Sequence, residues 1–121
     1  MQELLGRLKA ISDLTRLKIL KLIMEREFSV CELAKLLNIS QPAVSQHLRR
    51  LKAVGLAEDK RRGQWIYYQT TKDSLLDLAS DLTKLCQCQL ANLPEFKEIL
   101  PLLANVKDLE LDCRSPNDSK N

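Results

Sequence analysis

Apolar residues recur at helical spacing along most of the chain and give way to strand-like alternation in one segment. In MQELLGRLKAI, Leu4, Leu5, Leu8 and Ile11 return every three to four positions, which predicts a first helix over residues 1–11 interrupted only by Gly6. Ser12 is a fair N-cap for a second helix from Asp13 to about Glu25. Its apolar face is read as Leu14, Leu17, Leu20, Ile23 and Met24, widened by Ile19 and Leu22, so this helix is expected at the centre. Ser29 stands three residues before Glu32, the reciprocal pairing of a capping box, and Val30, Leu33, Leu36 and Leu37 continue a third helix to Asn38. After the short turn Asn38-Ile39, Ser40 caps a fourth helix with Pro42 in its first turn and Gly55 at its end. Two short capped helices joined so tightly form a helix-turn-helix.

The alternation falls in LAEDKRRGQWIYYQT, where aromatic and β-branched residues flank a charged turn placed at Lys60 to Gly63, the signature of a hairpin or wing. From Lys72 the helical period returns, with Leu75, Leu78, Ala79, Leu82, Leu85 and Cys86 on one stripe, and Pro94 is read as its stop. A short helix from Pro94 to about Ala104 and a frayed polar end, RSPNDSKN, complete the chain. The expected fold is mainly α with a small β-hairpin, a winged helix-turn-helix of about five to six helices plus a two-stranded wing. Residues 1–104 form the folded domain and residues 105–121 a partly disordered tail.

On a helical wheel Val44, His47, Leu48 and Leu51 share one side of the fourth helix, which turns Pro42, Ser45, Gln46, Arg49 and Arg50 outward, with Ser40 and Gln41 in the first turn. These outward types suit a major groove: Gln can bridge adenine N6 and N7, Ser reaches several base edges, and Arg pairs with guanine or phosphate. An ordinary amphipathic surface helix shows the same residues, so the neighbourhood carries weight. Between Arg49 and Arg62 stand six basic residues against two acidic ones, with Arg61 and Arg62 read at the wing apex, where they could reach phosphates or a minor groove. The alternative is a charged turn that keeps an edge hairpin soluble.

Charge by segment supports the nucleic-acid reading. Residues 1–70 hold thirteen Lys and Arg against seven Asp and Glu, whereas residues 71–121 hold six against nine. At 121 residues the chain is long enough for one core. No apolar run approaches the roughly 18 residues of a membrane span, and the N-terminus lacks the pattern of a signal peptide, so a cytoplasmic protein with no membrane partner is expected. An enzyme is disfavoured because no acid and base groups converge, and the single histidine, His47, lies on the flank of an apolar face.

The motifs SDLTRLKILKLI, FSVCELAKLLNISQPAVSQHLRRLKAVGL and RRGQWIYYQT together resemble the ArsR/SmtB family of small dimeric repressors over nearly the whole chain, and the ending DCRSPNDSKN looks like its arsenic-responsive branch. The resemblance implies a homodimer paired through its first and last helices on double-stranded operator DNA, with Gln41, Ser45 and Gln46 at the bases. In the family's arsenic and cadmium sensors a Cys-Val-Cys-Asp-Leu-Cys pattern holds the ion. Here the stretch reads Ser29-Val30-Cys31-Glu32-Leu33-Ala34, and only the middle thiol remains.

An inducer site must therefore draw on other cysteines. A trivalent arsenic or antimony centre takes soft thiolates, and Cys86, Cys88 and Cys113 supply three, with Cys31 a secondary candidate. Residues two apart on a helix point about 200° apart, so Cys86 and Cys88 can share an ion only if the helix ends or unwinds near Gln87. Two other readings stay open. Cys86 can be packing that continues the apolar stripe, as can Cys31 beside Val30. The repressor can also sense oxidants or persulfides through a reversible disulfide between two of these thiols.

Overall fold

The computed structural model describes residues 1–106; Cys113 and most of the C-terminal tail lie outside them. Capping chemistry sets the helix boundaries. The first helix, α1, spans Gln2–Ile11, and Ser12 terminates it, its hydroxyl donating to the Lys9 carbonyl at 2.8 Å. The N-cap of α2, Leu14–Glu25, is Asp13 rather than Ser12: its carboxylate accepts from the Arg16 amide at 2.9 Å. That hydrogen bond, followed by the Arg16 charge, holds the Asp13 carboxyl below its ordinary value.

The buried side of α2 is Ile19, Leu20 and Ile23, while Leu14 is 69% and Leu17 48% exposed. The apolar face read from the sequence is thereby corrected. Leu14 stands about 180° round the helix from Ile23, and a helix apolar on most sides buries only the side its neighbours cover.

A two-residue strand, β1 (Phe28–Ser29), precedes α3 (Val30–Leu37), and Ser29 serves both. Its hydroxyl accepts from the Glu32 amide at 3.2 Å, and the Glu32 carboxylate accepts from the Ser29 amide at 2.9 Å, completing the capping box. The second of these bonds holds the Glu32 carboxyl below its ordinary value of 4.5. A group lowered in the folded state stabilises above its unfolded value, and the benefit disappears as pH falls through the folded one. Urea denaturation of Ser29→Ala at neutral pH should show a loss of about 1 kcal/mol, and the advantage of the wild type over Glu32→Ala should narrow below pH 4.5. An equal Glu32→Ala gap at pH 7 and pH 3 would remove the charge from this account.

The helix-turn-helix follows from Asn38, whose left-handed backbone (φ 55°) ends α3, with the Ile39 amide donating to the Ala34 carbonyl at 3.1 Å. Ser40 then caps α4 (Gln41–Ala53), accepting from the Ala43 amide at 3.2 Å. The end of α4 is a Schellman motif. Leu56 donates to the Leu51 carbonyl at 2.9 Å and Gly55 to the Lys52 carbonyl at 3.0 Å, with Gly55 at φ 77°, a conformation that favours glycine. Leu51 and Leu56, which this motif brings together, are both fully buried.

The wing comprises β2 (Glu58–Arg62) and β3 (Trp65–Gln69), paired antiparallel, and β1 adds to the far side of β3, giving a three-stranded sheet in the order β1-β3-β2. The register sets Phe28 beside Tyr68 and Tyr68 beside Asp59, then Lys60 beside Tyr67 and Arg62 beside Trp65. The loop is the dipeptide Gly63-Gln64, with Gly63 at φ 62°. Lys60, Arg61 and Arg62 therefore lie in β2 and not in the turn, because a two-residue hairpin loop needs a positive φ, which Gly63 supplies.

The core is made by α1 to α4 and the sheet: Ile19, Leu20, Ile23, Phe28, Leu33, Val44, Leu48, Leu51 and Leu56, with Tyr68 and Leu75 packed against it. α5 covers Lys72–Gln87, ending well before Pro94, and of its stripe only Leu78 is buried, with Leu75 half-buried. The chain divides into two compact units, the first Met1–Thr83 and the second beginning at Lys84. In the second unit the expected helix from Pro94 to Ala104 is replaced by 3-10 turns at Leu90–Asn92, Pro94–Phe96 and Leu100–Asn105. Pro101 explains the change, since its missing N–H and its ring oppose an α-helix through that point.

Candidate nucleic-acid interface

Three buried residues of α4, Val44, Leu48 and Leu51, fix its rotation against the core, so its other side is committed to solvent. Gln41, Gln46, Arg49 and Arg50 are exposed, and Ser45 and the flanking His47 are half-buried. Gln41, Ser45 and Arg49 are spaced by four and form one ridge, and Pro42, Gln46 and Arg50 form the next. Ser40 sits at the tip, its hydroxyl and carbonyl taking the Ala43 and Val44 amides.

A contact not read from the sequence holds this helix in place. Arg16 of α2 donates from Nε to the Ala10 carbonyl at 2.6 Å and lies 3.4 Å from His47 Nδ1 through Nη1. A guanidinium can only donate, so in this contact Nδ1 is the acceptor. Arg16 thus joins the end of α1, the start of α2 and the middle of α4. Nothing in the periodicity of TRLKIL singles it out, because its partners are a backbone carbonyl and a ring far along the chain.

The basic residues near α4 separate into two groups. Lys52 is engaged, its Nζ 2.9 Å from Asp59 on β2; that hydrogen bond raises the lysine above its ordinary value and lowers the aspartate. Arg62 is also engaged, 2.8 Å from Glu27 and 5.9 Å above the Tyr67 ring. Arg49, Arg50, Lys60 and Arg61 have no ion pair among the described residues. Side chains alternate along a strand, so Asp59 and Arg61 share the face that carries Phe28 and Tyr68 toward the core and α4. Lys60 and Arg62 share the opposite face with Tyr67 and Trp65. The expected apex position of Arg61 and Arg62 is corrected accordingly: they are neighbours in β2 that point to opposite sides.

The described thiols are Cys31, Cys86 and Cys88. Cys31 is half-buried at the second position of α3. Cys86 is exposed in the last turn of α5, and Cys88 lies just past its end, with its amide donating to the Lys84 carbonyl at 2.8 Å and its Sγ 3.5 Å from the Gln89 carbonyl. The helix ends at Gln87, and the Cys88 amide still closes its last i→i−4 bond, so the backbone does not unwind between the two thiols. Among the described residues no three of His, Cys, Asp and Glu gather as a metal site, and the third sulfur of the expected set, Cys113, lies outside them. No helix among the described residues is long and apolar enough to cross a membrane.

Residues 13–59, from the cap of α2 to the start of β2, match the family described as bacterial regulatory protein, arsR family. The chain is 45% identical over 62 residues to the arsenic resistance transcriptional regulator ArsR1 of Pseudomonas putida, a match covering 50% of this chain and 48% of that protein. It is 44% identical over 69 residues to the transcriptional repressor SdpR of Bacillus subtilis, covering 57% of this chain and 77% of that protein. The chain spans about half the length of the arsenic-resistance relative and most of the second. Among solved structures it resembles the homodimeric winged helix-turn-helix DNA-binding domain of Mycobacterium bovis Mb0332, with a TM-score of 0.60 and 26% identity over 72% of this chain and 82% of that one.

Proposed function

Because the chain belongs to the ArsR family of bacterial regulatory proteins, we propose that it is a homodimeric repressor that reads double-stranded operator DNA with α4 and leaves it when an inducer binds its thiols. The observation that carries this reading is the solvent side of α4, where Gln41, Ser45, Gln46, Arg49 and Arg50 stand together and neither arginine has an ion-pair partner among the described residues. Ser40 and Gln41 meet base edges from the first turn, Ser45 and Gln46 follow one turn on, and Arg49, Arg50 and Arg61 neutralise phosphates. Homodimerisation is supported by the exposed Leu5 of α1 and Leu76 and Leu82 of α5, apolar surface that a second copy would cover.

The inducer is trivalent arsenic or antimony, held by Cys86, Cys88 and Cys113. Support comes from thiol chemistry, which suits a soft trivalent ion, and from the placement of Cys86 in the exposed last turn of α5 with Cys88 just past its end. Cys31 contributes at most one sulfur, with Ser29 and Ala34 where the arsenic and cadmium sensors carry cysteines. An inducer that favours one arrangement of the dimer shifts the spacing of the two α4 helices away from one turn of DNA, at a coupling of about 1 to 3 kcal/mol.

Fluorescence anisotropy of a labelled duplex selected by the protein from a random pool tests both halves of the proposal. Binding by the wild type should fall about 5- to 150-fold on addition of arsenite, and Cys86→Ser, Cys88→Ser and Cys113→Ser should each abolish that fall. A response that persists in the triple serine variant rules these thiols out as the sensor, and absence of duplex binding without arsenite removes the repressor reading. Mass spectrometry after mild oxidation separates a disulfide sensor from an arsenic sensor.

A further inference from the structure

The opposite face of the sheet holds a contact that the DNA-reading assignment leaves unused. Arg62 lies in β2 beside the hairpin loop, yet its guanidinium runs back along the sheet, passes 5.9 Å from the centre of the Tyr67 ring, and ends 2.8 Å from Glu27 Oε1, just before β1. The two ends differ in character. The Arg62 side chain is 61% exposed, whereas that of Glu27 is 23% exposed and its second oxygen is buried with no hydrogen-bond partner. A half-buried carboxylate with one oxygen unpartnered depends strongly on the single cation that reaches it. The contact crosses the whole sheet, from the outer strand of the wing over the central strand to the junction of α2 and β1.

Resting on the reading that α4 and the wing engage DNA, we propose that Arg62 is a positioning residue, in which the Glu27–Arg62 pair seated over Tyr67 sets the pitch of the wing and delivers Arg61 to the phosphates. Arg61 and Arg62 are adjacent and basic, but the alternation of β2 gives them different tasks. Arg61 extends the face that carries Asp59, which Lys52 ties to α4, so its reach toward DNA depends on the angle at which the hairpin leaves the sheet. The Glu27 brace on the other face opposes rotation of that hairpin, and Lys52–Asp59 holds the near face. A two-stranded ribbon fixed on both faces keeps one twist, whereas a ribbon fixed on one face is freer to coil.

The protein carries its own reporter, since Trp65 is the only tryptophan and stands directly opposite Arg62 in the register. Arg62→Ala and Glu27→Ala are compared with wild type in the full chain, using the selected duplex across a salt series together with Trp65 anisotropy in the absence of DNA. Positioning predicts that each variant weakens binding about tenfold, that the double variant is no weaker than either single one, and that Glu27→Ala lowers the salt slope as much as Arg62→Ala does, by up to about 0.9, because both release Arg61 from its phosphate. A phosphate contact by Arg62 itself instead predicts that Arg62→Ala alone lowers the slope, by about 0.9, and that Glu27→Ala, by removing an acid, leaves the slope unchanged and tightens binding; either result for Glu27→Ala overturns the proposal.

Without DNA, Trp65 anisotropy should fall equally in both alanine variants and recover in Arg62→Lys, which retains the cation. Unchanged anisotropy refutes the brace even if no duplex binds the wild type, which would count against the DNA reading alone. Should Glu27→Ala not fold, Glu27→Gln keeps the shape and removes the charge, and it should show the same loss of Trp65 anisotropy.

Discussion

A variant carrying Gln41→Ala, Ser45→Ala and Arg49→Glu should bind the selected duplex roughly 100- to 10,000-fold more weakly than the wild type, with a thermal midpoint within a degree or two. Each well-formed base contact is worth about 1 to 3 kcal/mol of discrimination, and every 1.4 kcal/mol is about tenfold in affinity. Reversing Arg49 removes one phosphate contact and places an acid in its stead, so the slope of log affinity on log salt should also drop by about 1. Stability should barely change: Gln41 and Arg49 are exposed, and none of the three residues has a side-chain hydrogen bond or ion pair among the described residues. Intact affinity with an intact salt slope would mean that α4 does not lie in the groove, and the function proposed from it would fail.

The other side of the same helix should behave in the opposite way. Leu48 is 0% exposed and packs in the core with Val44, Leu51 and residues of α2. Leu48→Ala should cost about 2 to 5 kcal/mol in urea denaturation, through lost transfer energy and the cavity left behind. Leu48→Met, which conserves most of the volume, should cost less than about 1.5 kcal/mol. Against the 5 to 15 kcal/mol typical of a domain, the alanine variant is large enough to depopulate the folded state. At temperatures where it remains folded, its salt slope should match the wild type, since Leu48 contributes no charge. A Leu48→Ala protein as stable as the parent would show that the core does not sit where α4 meets α2.

The helix-turn-helix was legible because its boundaries are written in local chemistry. Ser29 with Glu32, Asn38, Ser40 and Gly55 each satisfy backbone groups within a few residues of themselves, so no knowledge of the rest of the fold is needed to place them. The outward set on α4 was legible for the same reason, as it is the complement of Val44, Leu48 and Leu51. What escaped depends on contacts distant in sequence. The two-residue β1 is too short to show any period, and its existence rests on pairing with Tyr67 and Tyr68. Leu14 and Leu17 look as buried as Ile19 until the neighbours of α2 are known. The strand EDKRR has no apolar position, so its charges suggest a turn, and only the positive φ of Gly63 puts the turn after them. Arg16 with His47 and Arg62 with Glu27 join residues that no local pattern relates.

Ser29 closes the sheet and opens α3 in a single position, so the chain has no spacer between β1 and the helix-turn-helix. An inserted residue there cannot be absorbed: it would invert which side chains of β1 meet β3 and at the same time pull the hydroxyl away from the Glu32 amide. Strand and helix must therefore tilt as one piece, and the hinge of any rearrangement has to be sought elsewhere along the chain.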